Sequence, residues 1–192
     1  PTTQVFRLQM HEIENALLDP ATISAALATF GKTLTAADIH TKLATEARSF
    51  VWGMALGSTL SWVRTGIDQD FPPSTGLVNV PDQTTAVDKI VKSAWWQTHF
   101  PKLPKRFTVA TVTAQLGKEH ATYAQHLGSD AFLANFAGKE LLGRVSSWLI
   151  QGGGSQRPTD ADLAKTVGTL QRQAGRLPQE VSGLLATLLK AI

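Results

Sequence analysis

The chain has 192 residues, 43% hydrophobic and 17% charged, a composition that describes a globular protein with a real core and excludes a disordered one. It has no cysteine, which excludes disulfides, thiol catalysis and thiolate metal sites. Net charge is +3 but unevenly spread: residues 1–82 carry five Lys/Arg against eight Asp/Glu, residues 83–192 thirteen against seven, and this asymmetry points to a polyanionic partner for the second half.

The start, PTTQVFRLQ, reads as an extended arm or short strand, and HEIENALL as a short helix with Ile13 and Leu17 on one face. Asp19 is an expected N-cap, with Pro20 opening a helix that Gly31 ends. Thr35 and Asp38 have capping-box spacing with Asp in place of Glu. From there Ile39, Leu43, Ala47, Phe50 and Met54 run a helical stripe through to about residue 64. Its second half, Ser49 to Val63, holds fifteen residues without a charge, so the segment is expected to be buried on nearly all sides. Ser49, Gly53, Gly57 and Ser61 fall four apart and form a stripe of small residues where a neighbouring backbone can approach and the helix can bend. At fifteen residues the segment is short of the roughly 20 needed to cross a bilayer, and no membrane span is expected.

Residues 67–82 read as a loop punctuated by proline and glycine. Asp82 or Thr84 caps the next helix, with Val87, Ile90, Val91, Ala94 and Trp95 on its apolar face, and residues 99–107 form a rigid basic loop. Thr108 or Thr111 opens a helix reaching Leu127, interrupted at Gly117. A turn and cap at 128–130 leads into one further helix over 131–150. QGGGSQ (151–156) is a flexible linker. Thr159 and Asp162 repeat the capping pattern, Gly175 closes that helix, and Pro178 opens a last one with Val181, Leu184, Leu185, Leu188 and Leu189.

The expected architecture is therefore all-α, an irregular bundle of about eight helices around a buried central helix. A core domain over 1–150 is followed by the linker and by a C-terminal helical hairpin, 157–192, docked on the core or on a neighbouring subunit. No leader is visible at the start; a native beginning at Pro1 implies a cytoplasmic or virion-like location.

Chemical motifs are few. Residues 26–33 match a relaxed phosphate-loop pattern, but a helix precedes Gly31 and no strand or acidic magnesium ligand accompanies it, so Gly31 reads as a C-cap. The five histidines lack zinc-ligand spacing, no nucleophile elbow is present, and Asp68 and Asp70 read as solvated loop residues. The sequence thus supplies no catalytic residue, no metal site and no cofactor.

One stretch does carry a signal. Lys89, Lys92, His99, Lys102, Lys105 and Arg106 alternate with Trp95, Trp96, Phe100 and Phe107, and Pro101 and Pro104 stiffen the loop. Lys102, Lys105 and Arg106, helped by Lys89, Lys92 and His99, are expected to contact phosphates, and Trp96 or Phe107 to stack on an unpaired base. The adjoining helix does not fit a helix-turn-helix, which argues against reading of specific sequence. The resulting expectation is a non-enzymatic nucleic-acid-binding structural subunit, coat- or nucleocapsid-like or part of a ribonucleoprotein. It would bind single-stranded RNA or DNA and self-associate through its C-terminal helices. A helical protein–protein adaptor and an enzyme of a helical class are the alternatives.

Overall fold

The computed structural model describes residues 13–65, 80–99, 101, 105–150, 159–178 and 181–182. The expected N-terminal arm, the loop at 67–79, Lys102, the linker at 151–156 and nearly all of the last helix lie outside the described residues. Among those described there is no strand. A 3₁₀ turn, Ile13–Leu17, precedes eight α-helices: α1 (Pro20–Thr29), α2 (Ala36–Arg64), α3 (Gln83–Val91), α4 (Ala94–His99), α5 (Val109–His126), α6 (Ala131–Asn135), α7 (Gly138–Ile150) and α8 (Asp160–Gln173). The protein is an all-α, multi-helix structure.

The helix boundaries follow local chemistry. Asp19 accepts from the Ala21 N–H ahead of Pro20, and Gly31 (φ 76°) turns the chain out of α1 in the left-handed conformation. Thr35 and Asp38 exchange hydrogen bonds at the start of α2, as Thr159 and Asp162 do at α8. The Thr35 hydroxyl and N–H hold the Asp38 carboxyl below its usual pKa, and the N–H and hydroxyl of Thr159 do the same for Asp162. Asp82 caps α3 by accepting from Thr85. Thr108 and Thr111 form a capping box that opens α5.

Helix α2 runs unbroken over 29 residues, through Gly53 and Gly57. Between Ser49 and Val63 its residues are buried or half-buried except Ser49 and Ser61, which are exposed. Thus the small-residue stripe is not one continuous contact; Gly53 is buried within it while both ends face solvent. Buried Thr59 is satisfied within the helix, its hydroxyl donating to the Ala55 carbonyl at 2.8 Å.

The chain divides into two compact units, residues 1–46 with 130–192 and residues 47–129. In the first, α8 packs on α1 and on the 3₁₀ turn, burying Leu163, Val167 and Gln171, and α7 packs on the same turn. The described part of the tail therefore uses its apolar face within its own chain. The expected short helix is a 3₁₀ turn, in which Asn15 and Ala16 are buried and Leu17 is half-buried. Asn15 Nδ2 donates to the carbonyls of Leu133 (2.7 Å) and Phe136 (2.9 Å). This is where the single helix expected over 131–150 divides into α6 and α7, with Phe136 extended between them. Gly138 opens α7 so close to the turn that a Cβ there would lie 2.6 Å from the Asn15 nitrogen. Asp130 makes no capping bond to α6; it accepts instead from His40 Nε2 at 2.8 Å.

In the second unit, Ala55, Leu56, Leu60 and Val63 of α2 form a core with Val80, Ala86, Ile90, Trp96, Phe107, Val112 and Leu116. Two helix boundaries differ from expectation here. Gly117 does not interrupt α5, because in an otherwise well-formed helix a glycine costs only about 1 kcal/mol. The helix expected after Asp82 ends at Val91, and Ser93 restarts it by accepting from the Trp96 N–H (3.1 Å). That restart turns Trp96 rather than Trp95 into the core.

Three stability measurements check this account. Gly138→Ala should lose about 1–3 kcal/mol in urea unfolding, because the Asn15 backbone must shift to admit the methyl group. Asn15→Ala should cost about 1–3 kcal/mol by stranding the Phe136 carbonyl. Gly117→Ala should gain about 0.5–1 kcal/mol, since a Cβ at that position meets nothing within 4 Å.

Candidate nucleic-acid interface

All of the chain's net charge lies on the second unit. Residues 47–129 carry eight Lys/Arg against five Asp/Glu, a balance of +3, whereas residues 1–46 with 130–192 carry ten of each. The described acids of the second unit are also engaged. Asp82 caps α3, Asp88 pairs with Lys92 at 2.6 Å, and Glu119 accepts from Gln115 Nε2.

The structure separates the candidate residues into groups. Lys105 and Arg106 are exposed in the turn ahead of α5. Lys92 is exposed at the C-terminus of α3 in its pair with Asp88, an open pair worth a few tenths of a kcal/mol. Lys89 is half-buried on α3. His99 lies parallel on Trp95 (ring centroids 4.8 Å apart), and its Nδ1–H donates to the Trp95 carbonyl at 2.8 Å, which leaves Nε2 as its outer nitrogen. Lys102 falls outside the described residues.

The two aromatics expected to stack on bases are buried. Trp96 is 4% exposed and Phe107 is 2% exposed, both inside the core of the second unit. The capping turn at Ser93 drives Trp96 inward, and Phe107 follows because it is the last apolar residue before α5 and sits against α2. Neither ring offers a face to a ligand.

What the fold adds is the end of α2. Trp62 meets Phe107 edge-to-face (centroids 5.0 Å apart, 74° between planes), and the Arg106 guanidinium lies 4.9 Å from the Phe107 ring centre. Two residues beyond Trp62, exposed Arg64 terminates α2. Through this contact the end of α2 meets the Lys105–Arg106 turn, with 45 positions between Trp62 and Phe107 in the chain. The electrostatics of that turn reinforce one another: the first turn of α5 contains no acidic residue, so the positive end of that helix is unneutralised behind Lys105 and Arg106. The contact of Trp62 with Phe107 is not signalled in the sequence, because Trp62 closes an apolar segment. What the sequence does show is that Arg64 is the first charge after fifteen uncharged residues and so marks where the helix surfaces.

Elsewhere in the unit, the Trp52 and His120 rings stack at 3.7 Å, and Ser58 and Tyr123 share a 2.9 Å hydrogen bond. Among the described residues no group of three His, Asp or Glu is placed to hold a metal ion, and no helix is long and apolar enough to cross a membrane. Comparison with protein-family models, with curated proteins and with solved structures finds no match.

The His120 stack generates a pH prediction. Burial holds the His120 pKa below its ordinary 6.5, so the unfolded chain takes up the proton first. This contribution to stability is complete above pH 6.5 and is lost as pH falls below it. His120→Phe, which keeps a ring on Trp52, should gain on the wild type as pH is lowered from 7.5 towards 5.5 in thermal melts; a constant difference would refute the assignment.

Proposed function

We propose that this protein is a non-enzymatic, nucleic-acid-binding structural subunit, of the coat or ribonucleoprotein kind, whose phosphate contacts come from Lys105 and Arg106 ahead of α5 and from Arg64 at the end of α2. The observation that carries the reading is the concentration of net charge: the second unit holds the whole +3, and its described carboxylates are taken up in a cap, an ion pair and a side-chain hydrogen bond. Two exposed cations, Lys105 and Arg106, ahead of a helix N-terminus whose first turn holds no acid attract a polyanion without reading its sequence. With Trp96 and Phe107 in the core, the main contribution to affinity is electrostatic. Lys92 adds a further contact by exchanging its open pair with Asp88 for a phosphate.

The reading is tested by salt dependence. Each cation that neutralises a phosphate on a single strand adds about 0.7 to the slope of log affinity against log salt. Replacing Arg64, Lys105 and Arg106 together by Gln should lower that slope by about 2 and weaken all sequences alike. Fluorescence anisotropy with mixed-sequence oligonucleotides measures it. A triple variant with the wild-type slope would point to a protein–protein adaptor instead.

A further inference from the structure

We draw no further inference here: the strongest candidate, the uncharged face that Ala110, Ala114, Ala121 and Ala124 expose along α5, is a stripe of small residues, and nothing in the structure shows what covers it.

Discussion

The structure depends on covering fifteen consecutive uncharged residues. Between Arg48 and Arg64 helix α2 has no charged side chain to hold a face in water, so other elements must be brought against it. In the second unit α3, α4 and α5 do this with Ala86, Ile90, Trp96, Val112 and Leu116. Burial at roughly 25 cal/mol per Å² is enough to carry glycines at positions 53 and 57 through an unbroken helix, although intrinsic propensity disfavours both. Tertiary packing outweighs propensity here, as it does at Gly117.

Where the chain leaves helical geometry, it does so at side chains that satisfy backbone groups. Asn15 supplies two donors to the carbonyls at the α6–α7 junction, and Ser93 supplies an acceptor at the α3–α4 junction. Both positions are polar residues whose partners become clear only once distant segments meet. Gln171 plays a related part: almost fully buried, it donates from Nε2 to the Ala16 carbonyl and so ties α8 to the same turn that Asn15 ties to α6 and α7. The turn at 13–17 is therefore the hydrogen-bonding centre of the first unit, although it is one of the shortest elements.

The second unit owes its electrostatic character to a local arithmetic of charge. Carboxylates are present there, but the described ones are committed to the protein's own amides, lysine and glutamine. The cations at 64, 105 and 106 lie near the two helix ends that flank the Trp62–Phe107 contact. The C-terminal dipole of α2 favours Arg64, whereas the N-terminal dipole of α5 adds to the positive potential ahead of it.

Much of this was legible from the sequence. Capping residues at 19, 35, 82, 108 and 159, the left-handed glycines at 31 and 175, the extent of α2 and the all-helical class follow from interactions within a few residues of the chain. The cationic bias of the second half was also plain, because charge is additive and needs no fold to be counted. Which aromatics would be buried was not legible. Trp95 and Trp96 are neighbours with the same side chain, and only the restart at Ser93, together with the core waiting on α2, decides that Trp96 goes inside. Nor does any local pattern join Trp62 to Phe107, since that contact closes a span of more than forty residues. The sequence by itself determined where helices start and stop and how charge is divided, because those depend on near neighbours. The tertiary structure alone decided which rings are buried and which of them touch, because burial is a property of the assembled core.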